Sequence, residues 1–189
     1  PGIGGSAVID AGSDFGVLAS SVALDLSLAA LTSTSSASSN VSLTSVIGQF
    51  GAAAGSSINK TAGASAAFVV ASSNLISNYA GTLTTSGGVP GVNLTNNTGS
   101  TLNFTGNLTI ASGTNTGFNA TGGGTVSATA TNTLASTTGT ALNVANTTIG
   151  ASGLTFRSIS ANGGANGIVL DTTGALGGLT VTGSGTAGS

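Results

Sequence analysis

One phrase recurs down this chain at nearly constant intervals. It reads Ala67-Phe-Val-Val-Ala71, Gly91-Val-Asn-Leu-Thr95, Gly117-Phe-Asn-Ala-Thr121, Ala141-Leu-Asn-Val-Ala145 and Gly167-Ile-Val-Leu-Asp171. The second residue of each phrase is Phe68, Val92, Phe118, Leu142 or Ile168, giving steps of 24, 26, 24 and 26. Steps of this size mark a repeat architecture, in which each unit buries its apolar face only by stacking on its neighbours. Apolar and polar residues alternate inside each phrase, so the units are strands. Three short strands with their turns consume about 25 residues. The expected fold is therefore all-β, a parallel β-helix (β-solenoid) with coils of about 24–26 residues. Leucine-rich repeats share this length, but their leucine spacing and helix-forming half are missing.

The repeat is clearest from Leu142 to Thr182, where two parallel sentences each run strand, Gly/Thr/Asn turn, strand. Inward positions are expected at Phe68, Val70, Val92, Leu94, Phe118, Ala120, Leu142, Val144, Ile168 and Leu170, with alternate residues facing solvent. Opposite faces are expected to contribute Leu83, Leu102, Phe104, Leu108, Ile110, Val126, Leu154, Phe156, Leu179 and Val181. The gap from each first strand to the next apolar strand varies (Phe68 to Leu83, Phe118 to Val126), so turns differ in length. Glycine clusters at Gly87-Gly88, Gly122-Gly123-Gly124, Gly163-Gly164 and Gly177-Gly178 suit tight corners at positive φ, which a β-branched residue is expected not to make.

Upstream the repeat fades. Residues 1–65 are expected as an irregular N-terminal part, either a cap or coils whose register the sequence does not reveal. Residues 66–189 are expected as regular coils of the same continuous domain. The apolar run from Val17 to Leu31 has Val22, Leu24, Leu26 and Leu28 in two-residue alternation around Asp25, which favours a strand over a helix or bilayer span. Thr32 to Asn40 reads as an exposed Ser/Thr loop.

Charge is almost absent. Asp10, Asp14, Asp25, Asp171, Lys60 and Arg157 are the six formal charges in 189 residues, 3% of the chain, against roughly 25% in ordinary soluble domains. Disordered chains combine high charge with few β-branched residues, which is not this pattern. Two cations exclude an electrostatic footprint for nucleic acid and a basic amphipathic membrane helix. Cysteine is absent, so disulfides and thiolate metal sites are excluded. Pro1-Gly-Ile-Gly has no basic n-region, so any targeting signal is expected to have been removed or to lie beyond this segment.

The stretch LTFRSISANGGANGIVLDTTGALGGLTVTGSGTAGS resembles a recurring phrase of large bacterial surface proteins with right-handed parallel β-helix repeats. These are related in architecture to pectate-lyase-like domains and autotransporter passengers. The match covers about the last 50 residues and carries no catalytic motif. The resemblance implies an extracellular or cell-surface protein of bacterial type, a phrase that continues into further coils, and a chain that is a part of something longer.

Candidate sites are few. Hydrolysis or elimination on this fold needs paired acids or an acid with a base. Asp10 and Asp14 have no defined shared face, and Asp171 with Arg157 is expected to form a surface ion pair of little energetic weight. Enzyme activity, metal and cofactor are therefore not expected; calcium-binding nonapeptide repeats need recurrent Asp. Asn-x-Ser/Thr triplets begin at Asn40, Asn59, Asn93, Asn96, Asn103, Asn107, Asn119 and Asn146, as the Ser/Thr content alone would produce; they matter only in a host that glycosylates.

Two outward features remain. Asn93, Asn119 and Asn143 hold equivalent places one coil apart, either as a hydrogen-bonded amide ladder or as three solvated side chains. Thr-x-Thr phrases, Thr82/Thr84, Thr129/Thr131/Thr133 and Thr180/Thr182, raise a binding face. Counted from each first strand, however, Thr84 stands at +16, Thr109 at +17, Thr133 at +15, Thr155 at +13 and Thr182 at +14, so a ragged array is expected.

The expected role is structural: a stalk, adhesin segment or filament subunit assembling head to tail by β-augmentation. Its C-terminal stretch Leu179 to Ser189 contains no charge, proline or covering helix to blunt an edge. Alternatives are a carbohydrate- or ice-binding module on a Thr/Asn face and a degenerate polysaccharide-active enzyme. Expected partners are copies of itself and a glycan or surface ligand, with no nucleic acid and no membrane insertion.

Overall fold

A four-residue phrase with two apolar positions buries them only if identical phrases lie above and below in register. The computed structural model, which describes residues 7–12, 14–34 and 37–183, is built this way throughout. The strands are β1 (Val8–Ala11), β2 (Val17–Ser20), β3 (Ala23–Leu28), β4 (Ala30–Thr34), β5 (Val41–Thr44) and β6 (Ile47–Ala52). Next come β7 (Ser57–Lys60), β8 (Phe68–Ala71), β9 (Asn74–Tyr79), β10 (Thr82–Thr85), β11 (Val92–Thr95), β12 (Thr101–Phe104) and β13 (Leu108–Gly113). The last are β14 (Phe118–Thr121), β15 (Thr125–Ser136), β16 (Leu142–Ala145), β17 (Thr148–Ala161), β18 (Ile168–Asp171) and β19 (Leu179–Val181). Every pairing is parallel and joins one coil to the next, and no helix occurs among the described residues.

Three faces result. The first is a seven-stranded sheet in the order β2-β5-β8-β11-β14-β16-β18. The second holds β3, β6, β9, β12, the start of β15, the start of β17, and β19; the third holds β1, β4, β7, β10, β13 and the ends of β15 and β17. Phe68, Val92, Phe118, Leu142 and Ile168 are direct Cα partners down the first face, as their spacing predicts. The same column continues upstream through Val41 and Val17. Within residues 1–65, the described part therefore forms coils in register with the rest.

Phe68, Val70, Val92, Leu94, Phe118, Ala120, Leu142 and Val144 are buried, as are Leu83, Leu102, Phe104, Leu108, Ile110, Val126, Leu154 and Phe156 on the other faces. The variable gaps of the sequence reading have a simple cause. Leu83 lies on the third face, whereas Val126, Leu154 and Leu179 lie on the second. In the last coil the inward column meets no further strand among the described residues. Ile168 is 43% exposed, Leu170 42% and Val181 50%, while Leu142 and Val144 one coil earlier are fully buried.

Five of the six phenylalanines and the single tyrosine form a spine along the axis. Ring centroids are 6.0 Å apart for Phe50–Phe68, 5.2 Å for Phe68–Phe104, 5.8 Å for Phe104–Phe118 and 6.3 Å for Phe118–Phe156. Interplanar angles of 61–81° place edges against faces, the arrangement ring quadrupoles favour.

The corner after the first face is the same in all seven coils. Ser21, Ser45, Ser72, Asn96, Asn146 and Thr172 have φ between 48° and 56°, and Gly122 fills the seventh place at 79°. Each follows a first-face strand directly. In six of them the N–H donates to the carbonyl ending the first-face strand one coil on, from Ser21→Thr44 to Asn146→Asp171. Thr172 corrects the expectation that β-branched residues are excluded from corners. Left-handed backbone costs a non-glycine residue roughly 1–2 kcal/mol; at Thr172 the hydroxyl also bonds Asp171 Oδ1 at 3.0 Å. Glycine clusters play a smaller part: Gly87, Gly88, Gly122, Gly123, Gly124 and Gly163 take positive φ, but Gly164, Gly177 and Gly178 do not.

Polar side chains turned inward at the corners satisfy backbone groups the turns leave over. Asn97 accepts from Ser73 N–H (3.0 Å) and donates to the Val70 carbonyl (2.8 Å). Asn132 accepts from Leu108 N–H and donates to the Thr155 carbonyl, both at 2.8 Å, so one amide joins three coils.

Candidate functional surfaces

Alternation along each strand sends every second residue outward, so the solenoid displays columns of side chains one coil apart. On the first face one column reads Leu18, Ser42, Val69, Asn93, Asn119, Asn143, Val169. Its three asparagines are hydrogen bonded along the axis. Asn119 Nδ2 donates to Asn93 Oδ1 at 2.8 Å, and Asn143 Nδ2 donates to Asn119 Oδ1 at 2.7 Å. Val69 and Val169 bound the ladder.

A groove of about 550 Å³ runs beside the ladder. Val69, Val92, Asn93 and Asn119 form its floor, and Ser39, Ala64 to Ala66, Pro90, Asn115 and Thr116 its walls. Asn115 is fixed by donating to the Gly88 carbonyl at 2.7 Å. Every lining residue is uncharged.

The threonines named from the sequence separate onto different surfaces. Thr84, Thr109 and Thr133 are direct partners on the third face, in a column that also takes in Thr34, Asn59 and Ser158. The expected raggedness is thus wrong for this face: offsets of +16, +17 and +15 reflect corners of different length, not misaligned strands. A second outward column holds Thr32, Ser57 and Thr82. Asn107 and Thr131 follow, tied by Leu83 N–H to the Asn107 carbonyl (2.9 Å) and Thr131 N–H to Asn107 Oδ1 (3.2 Å). Thr129 sits at the corner between the second and third faces in β15. Thr180 pairs with Thr155 on the second face, and Thr182 follows β19 with its N–H on the Phe156 carbonyl.

Charged groups are dispersed. Asp10 pairs with Thr32 at the start of the third face, Asp25 accepts from Gln49 Nε2 (2.6 Å) on the second, and Asp171 ends a first-face strand. Arg157 follows Phe156 where the second face gives way to the third. Among the described residues no ion pair joins Arg157 to Asp171; the Asp171 carboxylate accepts from Thr172. No three His, Cys, Asp or Glu side chains converge among the described residues. Lys60 points inward and is wholly buried, its Nζ donating to the Ser38 carbonyl, and burial lowers its pKa from the ordinary lysine value. Tyr79 is buried with its hydroxyl donating to the Thr82 carbonyl (2.7 Å), and burial pushes its pKa up.

Asn40 and the groove-floor asparagines head glycosylation triplets, but Asn40 is fully buried. The expectations for Pro1 to Gly4 and for residues 184–189 of the C-terminal stretch lie outside the described residues. Sequence reasoning missed the corner column Ser21, Ser45, Ser72, Asn96, Gly122, Asn146, Thr172. Its signal was present: a small hydrogen-bonding residue or glycine directly after each phrase.

The fold defines a class, the parallel β-solenoid repeat proteins, with about seven turns. No family model, curated protein or solved structure matches the chain.

Proposed function

We propose that this chain is a structural segment of a bacterial surface or secreted β-solenoid, a stalk, adhesin segment or filament subunit that extends along its axis. The extension comes from further coils of one polypeptide or from a second copy stacked head to tail. The last described coil carries the reading. Its inward Ile168, Leu170 and Val181 are about half exposed where their equivalents one coil earlier are buried. Among the described residues β18 and β19 each pair on one edge only, leaving the other for a further parallel strand. Low charge supports it as well, because little repulsion opposes stacking. A contact of this kind is heterologous and does not close, so it propagates.

The test is electron microscopy with light scattering on the 189-residue chain. Filaments or elongated oligomers are expected, and Leu170→Asp, at an exposed site, should abolish them while the β-type circular dichroism spectrum persists. Monodisperse monomers at high concentration, or assembly unaffected by Leu170→Asp, would reject axial stacking of copies.

A further inference from the structure

We propose that the third face binds ice, the crystalline lattice of water. Its two outward columns make a grid in two directions. Neighbouring coils set one spacing at about 4.7–4.9 Å, and residues i and i+2 of a strand set the other at about 6.6–6.8 Å. The first is close to a repeat distance of the oxygen lattice in hexagonal ice; the second falls somewhat short of another, a gap that the outward splay of the threonine side chains has to make up. Thr82/Thr84 and Thr131/Thr133 each present such a pair, and Thr109 joins them in register.

Three properties of this face fit that occupant. First, the hydroxyls of Thr82, Thr84, Thr109, Thr131 and Thr133 make no hydrogen bond within the described protein, so they are available to water. The amides of the first face, by contrast, satisfy one another in the Asn93–Asn119–Asn143 ladder. Second, the grid from Thr32 to Thr133 itself carries no charge; Asp10 adjoins its first edge, Arg157, exposed between Phe156 and Ser158, adjoins its last, and the one lysine in these strands, Lys60, points inward. An ice surface is neutral, and a fixed charge would hold its own mobile hydration shell against it. Third, the grid is rigid before binding. Parallel ladders on both sides fix each strand, so no ordering of the protein opposes adsorption.

Each threonine offers a hydroxyl that can join the lattice and a methyl that fills the space between lattice waters. One such bond is weak because it replaces a bond to liquid water; a periodic grid multiplies it. A glycan is the less favoured occupant. Aromatic platforms suit sugar rings, and the spine rings Phe50, Phe68, Tyr79, Phe104, Phe118 and Phe156 are all buried.

Thermal hysteresis and ice-crystal shaping of the 189-residue chain test the proposal, with circular dichroism to establish the fold. A freezing gap and faceted crystals are expected, and Thr109→Tyr or Thr84→Tyr should remove both. Thr109→Lys, exposed and outward, provides the same test where tyrosine disturbs the sheet. Thr95→Tyr, outward on the first face, should leave the activity intact. Absence of a gap with folded protein overturns the proposal, as does equal loss with Thr95→Tyr. Retention on insoluble cellulose or chitin without hysteresis would assign the face to a glycan instead. Ice shaping by monomers would leave this inference standing while axial stacking of copies fails, so the two readings are separable.

Discussion

Replacing Phe104 by leucine tests whether the ring spine carries energy beyond its bulk. Phe104 is 1% exposed and meets three rings: Phe68 at 5.2 Å, Phe118 at 5.8 Å and Tyr79 at 6.4 Å. Phe156 is also fully buried but meets only Phe118, at 6.3 Å. A near volume-conserving swap in a core costs below about 1.5 kcal/mol, and each edge-to-face pair adds about 0.5–1.5 kcal/mol beyond area. Phe104→Leu should therefore cost about 1–3 kcal/mol more than Phe156→Leu, from the two additional pairs. Position along the solenoid could mimic this difference, because coils near an end have fewer stabilising neighbours. Leu102→Ala and Leu154→Ala correct for it, since each lies in the same second-face strand as one of the two phenylalanines and both are buried. Urea unfolding followed by circular dichroism gives the four values, provided the m-value is unchanged. If the corrected costs of Phe104→Leu and Phe156→Leu agree within about 0.5 kcal/mol, near the limit of additivity, the rings act as packing volume alone.

Two further predictions concern polar groups in the interior. Asn97→Ala should destabilise by about 2–6 kcal/mol in urea unfolding, because it removes the bonds made to the Ser73 N–H and the Val70 carbonyl, two buried backbone groups at about 1–3 kcal/mol each. Lys60 and Tyr79 should shape stability at alkaline pH. A lysine with a lowered folded pKa penalises the folded state while protonated in water, so stability should rise as pH climbs from that lowered value towards 10.5. Tyr79, with a raised folded pKa, should oppose this above pH 10, where only the unfolded chain readily ionises. Lys60→Met should remove the rise and leave the later fall, measured as urea midpoints across pH 8 to 11.

The coil register was legible because it depends on short phrases alone. Phe68 through Ile168 sit in one column, and each first-face strand is four residues long, so counting from strand to strand is safe. The upstream coils were hidden for local reasons. Leu18 is apolar but points outward at 61% exposure, which blurs the alternation of β2. From Val41 to Phe68 the step lengthens to 27, because the connections on both sides of β7, residues 53–56 and 61–67, are longer than those flanking β10. Thr84, Thr109 and Thr133 looked misaligned because their offsets were counted across two corners. Corner length is set by turn residues, whereas alignment is set by backbone hydrogen bonds between coils; only the latter decides which side chains are neighbours. The amide ladder was readable for the opposite reason, since Asn93, Asn119 and Asn143 lie inside the phrase itself.

That separation also explains why the interior and exterior of this chain carry different information. Inward positions are constrained by the stack: a change at Phe118 is felt by Val92 below and Leu142 above, since all three share a column. Outward positions are constrained only by their lateral neighbours, one coil step away, and so are free to become a ladder, a hydroxyl grid or an apolar row. On the first face that freedom yields Val69, three asparagines and Val169 in one column. On the third it yields hydroxyls and amides from Thr34 to Ser158 without a charge. At ordinary composition, about one residue in four charged, six successive outward places would all be neutral roughly one time in six, so neutrality alone decides little. Neutrality of the whole chain makes the column's composition less surprising, but not its alignment with unbonded hydroxyls at Thr84, Thr109 and Thr133. Unbonded threonines also stand in register on the second face, at Thr101, Thr125 and Thr148. What distinguishes the third face is therefore its doubled columns, Thr82/Thr84 and Thr131/Thr133 with Thr109 between, and a grid displaced by one residue in any one coil would lose them.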